Sequence, residues 1–379
     1  MNVFHIGTIA FETADTKREL KSIGGISGYI IELINYSLSK GIRIGFIGKI
    51  YNYSKNKNLS YIQVQNKVTS TNKFLIHLLY KSLITKLPPK AIIHAHRPDH
   101  LAAFIIFNNR PSVISLHGQQ AHTVNVRKGK LIRTIYQVLE KYAVKKAKAL
   151  IAVDPITKDF YSKLYPKYQQ KIHTIPTGVN TNVFYSTEKS ISRKKLGFKE
   201  SDKIIIYVGR IEPPKRIDII IEALRLIVQK DNNYKMVLVG DGVLMDDMKS
   251  LSSNLNLNDN IYFMGVRKRN ELPLLFNSAD VSVLISDNEG SPLSVKESLA
   301  CGIPVVANAV GDISELIKDS HNGFIINKND IHDIANKLQL SIQNTKVFKQ
   351  NCIDSIKSYT ISHVSDDVIK LYNKILNEQ

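Results

Sequence analysis

The chain has 379 residues, of which 43% are hydrophobic and 22% charged, and its 52 Lys and Arg against 33 Asp and Glu give a formal net charge of +19. This length and composition suit two globular domains with full cores and exclude a low-complexity chain. No apolar run is long enough to cross a bilayer, the first residues lack a signal-peptide leader, and two cysteines give no disulfide framework, so we expect a cytoplasmic protein with reduced thiols.

Apolar runs alternate with amphipathic segments along the whole chain, a pattern typical of α/β domains with parallel sheets. Both halves open alike, with a strand that leads through a glycine loop into a helix, over Tyr29–Lys40 in the first half and Asp218–Gln229 in the second. The rule that ligands bind beyond the carboxyl ends of parallel strands then directs attention to the loops that follow the strands. The predicted strands are Val3–Ile9, Ile42–Ile47, Ala91–His94, Ser112–Leu116, Ala149–Val153, Lys171–Ile175, Lys203–Val208, Lys235–Val239, Ile261–Met264, Val281–Ile285, Val305–Ala307 and Gly323–Ile326.

The net charge is confined to the first half of the chain. Residues 1–189 hold 28 Lys and Arg but only 9 Asp and Glu, which leaves 24 of each for residues 190–379. Within this half, residues 126–150 combine eight basic residues and a single acid, Glu140, with apolar residues at helical spacing. A basic amphipathic helix suggests an anionic membrane surface, although a helix packed on its sheet with a solvated basic face gives the same pattern.

The most informative stretch is Glu289–Pro304, Glu-Gly-Ser-Pro-Leu-Ser-Val-Lys-Glu-Ser-Leu-Ala-Cys-Gly-Ile-Pro. Ser291 followed by Pro292 predicts a helix that starts with the hydroxyl at the N-cap position. Glu289 then lies on the loop before the helix and Glu297 in one of its first turns. Free amides and the positive end of the helix dipole beside them suit a phosphate, and carboxylates at such a place can bind the hydroxyls of a ribose or a hexose.

Two glutamates separated by seven residues, with Gly-Ser-Pro after the first and Ala-Cys-Gly-Ile-Pro after the second, resemble the donor-site signature of the retaining glycosyltransferases of family 4 (glycosyl transferases group 1). The resemblance implies the α/β GT-B fold, two Rossmann-like domains facing across a cleft. It also implies an N-terminal acceptor-binding domain over 1–184, a C-terminal nucleotide-sugar-binding domain over 185–361, and a last helix, about 362–379, that returns to the first domain.

Carried over to matching positions, the resemblance makes Glu289 the contact to the hydroxyls of the donor sugar and Glu297 the contact to the ribose. The backbone of the intervening residues would contact the sugar and the diphosphate: Gly290, Ser291, Pro292 and Leu293.

Arg210 and Lys215 follow Gly209 in a segment similar to the family's Gly-Arg…Lys-Gly element, in which both cations bind the donor diphosphate. Fixed cations that meet the charge growing on a departing diphosphate lower the barrier to transfer. One departure from the family is Arg216, which stands where a glycine is usual. The chain has no Asp-x-Asp motif and no zinc-like Cys/His spacing, so we predict no metal and no cofactor, the nucleotide sugar being a substrate.

In the first half, Gly24 and Gly25 resemble the family's early glycine pair, where the backbone approaches the donor phosphate. His94 and His96 alternate on one strand and therefore face the same side. His117 closes the next strand, and the match to the family assigns it a contact to the donor sugar or the transition state, with His96 in a supporting role. The usual alternative for such histidines is a structural one.

The resemblance thus implies a retaining, metal-independent transferase that moves a hexose-type sugar from a UDP- or GDP-sugar to a glycan or lipid-linked acceptor in bacterial lipopolysaccharide or capsule synthesis. We expect it to lie peripherally on the inner face of the cell membrane, with an anionic lipid surface but no nucleic acid as partner. Two alternatives stay open: another GT-B enzyme, such as a sugar phosphorylase or a nucleotide-sugar epimerase, and a non-enzymatic basic protein that binds membrane or nucleic acid.

Overall fold

The computed structural model describes residues 1–7, 25–49, 57–65, 71–118, 130–326 and 330–378. The chain divides into two compact units, one made of Met1–Thr177 with Ile361–Gln379 and the other of Gly178–Thr360. Each unit has its own parallel sheet and its own buried apolar core. The predicted fold class, two Rossmann-like α/β units, is confirmed.

The first unit is built on a seven-stranded parallel sheet in the order β3-β2-β1-β4-β5-β6-β7. The order reverses between β1 and β4, which makes their carboxyl ends the switch point where such sheets bind ligands. The strands are β1 Asn2–Gly7, β2 Arg43–Lys49, β3 Leu59–Gln65, β4 Ala91–Ala95, β5 Ser112–Leu116, β6 Ala149–Ala152 and β7 Ile172–Thr174. The helices that accompany them are α1 Gly25–Ser39, α2 Thr71–Ile84, α3 Pro98–Ile105, α4 Lys130–Lys146 and α5 Pro155–Leu164.

The second unit has a six-stranded parallel sheet in the order β10-β9-β8-β11-β12-β13, with its switch point between β8 and β11. The strands are β8 Lys203–Val208, β9 Tyr234–Val239, β10 Ile261–Gly265, β11 Val281–Leu284, β12 Val305–Asn308 and β13 Gly323–Ile326. The helices are α6 Lys189–Leu196, α7 Ile217–Val228, α8 Met245–Asn254, α9 Leu272–Ser278, α10 Leu293–Ala300, α11 Ile313–Leu316, α12 Ile331–Gln343 and α13 Thr345–Ser355.

The last helix, α14 Ile361–Asn377, belongs to the first unit. It packs against α1, and the Tyr36 hydroxyl donates a hydrogen bond to Asp366 at 2.9 Å. The boundary between the units lies at Thr177, whereas the sequence placed it after residue 184. Val179 and Phe184 explain the difference, because both are fully buried in the core of the second unit.

Each of the twelve predicted strands corresponds to a strand of the structure, and three have the predicted bounds. The strand that the sequence analysis missed is β3, which lies at the edge of the first sheet. Its residues, Leu-Ser-Tyr-Ile-Gln-Val-Gln, are half polar and mostly half-buried, so they lack the continuous apolar run of a strand covered on both faces. Within the described part of the chain, no helix is both long and apolar enough to cross a membrane.

The carboxyl ends of β8 and β9 approach so closely that only glycine fits between them. Gly240 has φ +140°, and a Cβ atom there would lie 1.8 Å from the carbonyl oxygen of Gly209. The Gly209 amide in turn donates to the Val239 carbonyl at 3.0 Å. This contact fixes the start of the loop that carries Arg210 and Lys215.

We expect Gly240→Ala to lower the free energy of unfolding of the second unit by about 3 kcal/mol or more, because both the backbone angle and the contact with Gly209 must change. Urea unfolding followed by far-UV circular dichroism measures the loss. Gly265→Ala is the matched control: its φ is +64° but nothing lies within 4 Å of the added atom, so only about 1–2 kcal/mol of left-handed strain is expected. Equal losses in the two variants would contradict the contact.

Candidate donor site and histidine cluster

Three loops at the carboxyl ends of β8, β11 and β12 are joined by hydrogen bonds to one another. The Pro214 carbonyl accepts from the Ser286 hydroxyl at 2.9 Å and from the Asp287 amide at 2.8 Å. The Asn308 side chain accepts from the Ser286 amide at 2.9 Å and donates to the Ser286 carbonyl at 2.6 Å. The loops at the switch point of the second sheet therefore hold a defined mutual position.

Lys215 and Glu289 meet on these loops. The Lys215 ammonium donates directly to Glu289 Oε1, and each side chain is only 14% exposed. Lys215 ends the short 3₁₀ turn Pro213–Lys215 after β8, and Glu289 lies between β11 and α10. The sequence predicted one residue for the diphosphate and the other for the sugar, and the structure places the two in contact at the switch point.

Arg210 lies on the same loop but reaches solvent, with 63% of its side chain exposed. Its Nη1 donates to Glu212 at 2.9 Å, and its carbonyl accepts from the Tyr207 hydroxyl at 2.8 Å, so the backbone is held while the guanidinium stays accessible. Arg216, which replaces the family's glycine, adopts a left-handed conformation with φ 41°. The loop thus keeps the backbone shape that a glycine would take, at a cost of about 1–2 kcal/mol for a residue with a Cβ atom.

Glu297 is almost fully buried on α10, with 4% of its side chain exposed. Its Oε1 lies 2.7 Å from Nη1 of Arg269, which follows β10. The Arg269 guanidinium also stacks 5.0 Å from the centre of the Phe184 ring. Sequence reasoning missed Arg269, since it lies within a basic Arg-Lys-Arg run and its spacing from Glu297 follows no motif.

The predicted start of α10 is wrong by one position. The helix begins at Leu293 with Pro292 at the N-cap, and this N-cap residue makes no side-chain capping hydrogen bond. The Ser291 hydroxyl instead donates to Asp312 at 2.6 Å. A buried charged partner explains the difference, because a hydrogen bond to a carboxylate is stronger than one to a backbone amide.

That partner belongs to a buried ion pair. The Lys296 ammonium, on α10, donates to Asp312 Oδ2 at 2.6 Å and also to the Ser291 hydroxyl, and the side chains of Lys296 and Asp312 are 0% and 1% exposed. The Asp312 amide donates to the Gly290 carbonyl at 2.9 Å, and a Cβ atom at Gly311 would lie 1.9 Å from the same oxygen. The pair therefore joins α10 to the glycine loop before it.

In the first unit, Gly25 is the exposed first residue of α1, and a Cβ atom there would meet nothing within 4 Å, while Gly24 lies outside the described residues. His117 follows β5, with its ring 5.8 Å from that of His96 and 6.1 Å from that of Tyr29. Burial lowers the pKa of His117 to about 4, so its ring is neutral at physiological pH.

His96 belongs to a buried group that the sequence did not predict in full. His5 on β1 is the register partner of His94 on β4, and the facing nitrogens of His5 and His96 lie 3.1 Å apart. His94 Nδ1 is 2.5 Å from the Tyr372 hydroxyl of α14, and its Nε2 is 2.8 Å from Ser115 Oγ. Sequence reasoning paired His94 with His96 through strand alternation, but His5 comes from a distant strand that only the sheet order brings alongside.

Asp154, left without a role by the sequence, caps α5. Its carboxylate accepts from the Thr157 amide at 2.8 Å and from the Thr157 hydroxyl at 2.5 Å. This side chain is part of the helix start.

Comparison with known proteins places the chain in a family. The model for glycosyl transferases group 1 matches residues 188–357, and the model for glycosyltransferase family 4 matches residues 23–183, so the two together extend over both units. The chain belongs to this family of GT-B glycosyltransferases.

Three similar proteins illustrate the relationship. The UDP-Gal:alpha-D-GlcNAc-diphosphoundecaprenol alpha-1,3-galactosyltransferase of Escherichia coli is 30% identical over 65% of this chain and 65% of its own length. The chain thus spans slightly less than two thirds of that relative. Among solved structures, sucrose-phosphate synthase from Thermosynechococcus elongatus matches with a TM-score of 0.82 at 18% identity over 100% of both chains. Anabaena HepE in complex with UDP-glucose matches with a TM-score of 0.75 at 17% identity over 99% of this chain and 100% of its own.

We expect Lys296→Met to destabilise the second unit by about 3–5 kcal/mol, because it leaves the Asp312 carboxylate buried without its cation. Chemical denaturation monitored by circular dichroism measures the change. Adding Asp312→Asn should recover part of the loss, since the uncompensated charge is removed. Lys249→Met, which breaks only an exposed contact of 3.9 Å with Asp246, should cost less than about 1 kcal/mol. If Lys296→Met is as stable as Lys249→Met, the buried ion pair does not contribute to the stability of the second unit.

Proposed function

We propose that the protein is a retaining, metal-independent glycosyltransferase that moves a hexose-type sugar from a UDP- or GDP-sugar to a glycan or lipid-linked acceptor in bacterial surface polysaccharide synthesis. The name of the Escherichia coli relative contains a UDP-sugar donor and a diphosphoundecaprenol acceptor, and the Anabaena neighbour was solved with UDP-glucose. Both support a nucleotide sugar as donor, with uridine favoured as the base.

The observation that carries the proposal is the contact between Lys215 and Glu289 at the switch point of the second sheet. A nucleotide sugar is anionic at its diphosphate and rich in hydroxyls at its sugar, and these two parts are covalently adjacent. A cation for the diphosphate must therefore lie beside an acceptor for sugar hydroxyls. Lys215 and Glu289 meet this requirement, and the exposed guanidinium of Arg210 adds a second cation on the same loop.

Transfer breaks the bond between C1 of the sugar and the β-phosphate oxygen, and the electron pair stays on that oxygen. The acceptor hydroxyl oxygen forms the new bond to C1 from the same face, and its proton passes to the departing phosphate. Negative charge therefore grows on the diphosphate in the transition state. Arg210 and Lys215 stabilise that charge, a role for which one fixed donor typically contributes about 3–4 kcal/mol.

We further propose that the enzyme binds the anionic cytoplasmic face of the cell membrane through α4. The solvent side of this helix carries exposed basic residues, while its one acid, Glu140, is buried and accepts hydrogen bonds from Tyr161 and Tyr165, each at 3.0 Å. Ile135 and Val138 are 51% and 61% exposed on the same helix. Basic and apolar side chains together are the composition of a membrane-surface helix. The exposed basic residues are Arg133, Lys141, Lys145 and Lys146.

The neighbouring helices extend this surface. α3 packs against both α2 and α4, and α2 contains no acidic residue. Its exposed apolar side chains recur at the spacing of one helical face, and two more follow α3. Apolar groups of this kind insert at the boundary between head groups and acyl chains. The exposed apolar residues are Ile76, Tyr80, Leu83 and Ile84 on α2, with Ile106 and Phe107 after α3.

Replacing Arg210 or Lys215 by Ala should lower kcat by about 100- to 1,000-fold, because each removes a cation that meets the charge of the transition state. Release of nucleoside diphosphate from a panel of UDP- and GDP-sugars, with a diphosphoundecaprenol-linked sugar as acceptor, measures the rate. Activity should survive EDTA, and NMR of the product should show the anomeric configuration of the donor.

Lys194→Ala, an exposed lysine of the same unit, is the matched control and should leave the rate unchanged. A thermal-shift measurement with UDP and GDP separates the alternatives, because a ligand that binds only the folded state raises the melting temperature. If neither nucleotide stabilises the wild-type protein, or if both variants bind nucleotide as tightly as the wild type, the donor site is misassigned. An inverted anomer in the product would overturn the retaining mechanism.

Neutralising the four basic residues of α4 with Gln should weaken binding to anionic vesicles by about 100-fold or more at low salt, since each cation near such a surface contributes about 1 kcal/mol. Co-sedimentation with phosphatidylglycerol-containing and pure phosphatidylcholine vesicles measures binding. A charge-matched variant of the second unit, with Lys194, Lys195, Lys230 and Lys249 replaced by Gln, should bind like the wild type. Equal binding to both vesicle types, or binding to neither, would remove the membrane assignment.

A further inference from the structure

We propose that His5, His94 and His96 form a binding site for one first-row transition metal ion, with Zn²⁺ and Co²⁺ as the ions best suited to it. One nitrogen from each ring lies within 4.8 Å of the other two, and all three residues are buried. The group occupies the β1–β4 switch point of the first sheet. The inference departs from the sequence analysis, which predicted no metal.

The sheet itself brings the three rings together. His5 and His94 are register partners on adjacent parallel strands, so their side chains share one face of the sheet. His96 follows two residues after His94 and returns to the same face. The ring centres of His94 and His96 are 4.4 Å apart, and those of His5 and His94 are 5.1 Å apart. Backbone pairing thus orients three imidazoles before any ion binds.

Hydrogen bonding within the described residues does not complete this group. His5 Nδ1 and His96 Nε2 face each other at 3.1 Å, and one hydrogen bond can join them. His5 Nε2 and His96 Nδ1 are buried and have no hydrogen-bond partner among the described residues. A neutral imidazole has one donor and one acceptor nitrogen to satisfy, and an unmet buried group costs about 1–3 kcal/mol. An ion held between the two facing nitrogens would replace that single hydrogen bond, and the N–H groups of both rings would then lie on the outer nitrogens.

The separations suit a tetrahedral ion. An ion bound at about 2.0–2.1 Å to two imidazole nitrogens holds those nitrogens roughly 3.3 Å apart, close to the 3.1 Å between His5 and His96. His94 must approach by at most about 1.5 Å to complete the set, from the 4.8 Å limit of the group. Three histidines leave the fourth position for a water molecule.

The chemistry of the three side chains decides which ions suit the site. Imidazole coordinates a metal through a ring nitrogen in its neutral form. Neutral imidazoles favour Zn²⁺, Co²⁺, Ni²⁺ or Cu²⁺ over Mg²⁺ or Ca²⁺.

His94 has the outer partners of a metal ligand. Its two nitrogens lie 2.5 Å from the Tyr372 hydroxyl and 2.8 Å from Ser115 Oγ. The nitrogen that binds the ion gives up its hydrogen bond, and the other nitrogen keeps one that orients the ring. Tyr372 lies on α14, so a bound ion would link β1, β4 and the last helix of the unit. The expected role is structural, and it does not depend on the proposed transfer reaction.

Titrating metal-free, full-length wild-type protein with CoCl₂ tests the site. We expect one equivalent of Co²⁺ to bind with the strong visible d–d absorption of a tetrahedral ion, and X-ray absorption of the complex to show three imidazole ligands. His5→Gln and His96→Gln should each lose more than about 10-fold in Co²⁺ affinity, because even the loss of an outer-shell partner typically costs about 10- to 100-fold and these variants remove a ligand itself. The exposed His332→Gln is the matched control and should bind as the wild type does.

A wild-type protein that binds less than one tenth of an equivalent of Co²⁺ or Zn²⁺ at 50 µM, by equilibrium dialysis, would overturn the site. An X-ray absorption spectrum of the Co²⁺ complex that shows fewer than three imidazole ligands would also overturn the site. This measurement uses the wild-type protein and does not require that a variant folds. Retained affinity in both histidine variants would place the ion elsewhere. Nucleotide-induced thermal shifts of the same samples are independent of the metal, so the failure of this site and the failure of the donor site can be distinguished.

Discussion

The second unit depends on one buried ion pair, between Lys296 and Asp312. A lysine with no exposed side chain is tolerated only when its charge is matched and its donors are used, and here Asp312 and Ser291 supply both. Lys296 directly precedes Glu297 on α10. The backbone amide of its partner Asp312 donates to the carbonyl of Gly290, in the loop before the helix. Because this ion pair joins the loop to the helix, it fixes the position of Glu289 on the loop relative to Glu297 on the helix.

The first unit depends instead on the contacts that its last helix, α14, makes with β4 and α1. In the sequence, the whole second unit separates α14 from the rest of the first unit. Specific tertiary contacts must therefore hold this helix in its unit. The Tyr372 hydroxyl lies 2.5 Å from His94 Nδ1, and Asp366 accepts a hydrogen bond from Tyr36 on α1. The buried histidines therefore connect the sheet with the end of the chain, and their neutral state makes that connection insensitive to pH near 7.

The sequence predicted the parts of the fold that depend on local pattern. Buried parallel strands are continuous apolar runs, so Ser112–Leu116, Lys203–Val208 and Gly323–Ile326 were placed with their observed bounds. The edge strand β3 lacks such a run and was missed. Lys215 and Glu289 were predicted as site residues because they follow strands within long motifs, and the structure places them in contact. The burial of Lys296 was not predicted, because lysine side chains are ordinarily exposed and only the tertiary packing buries this one.

In the proposed donor site, the contact between Lys215 and Glu289 would keep the two charges in place before a ligand binds. An ammonium has three donors and a carboxylate has about four acceptor positions, and the observed contact uses one of each through Oε1. The remaining N–H groups can meet phosphate oxygens while Oε2 accepts from a hydroxyl, so the ligand adds contacts without separating the two charges. Because the pair is already oriented, little reorganisation is needed when charge develops on the diphosphate, which is the condition for an electrostatic contribution to the rate.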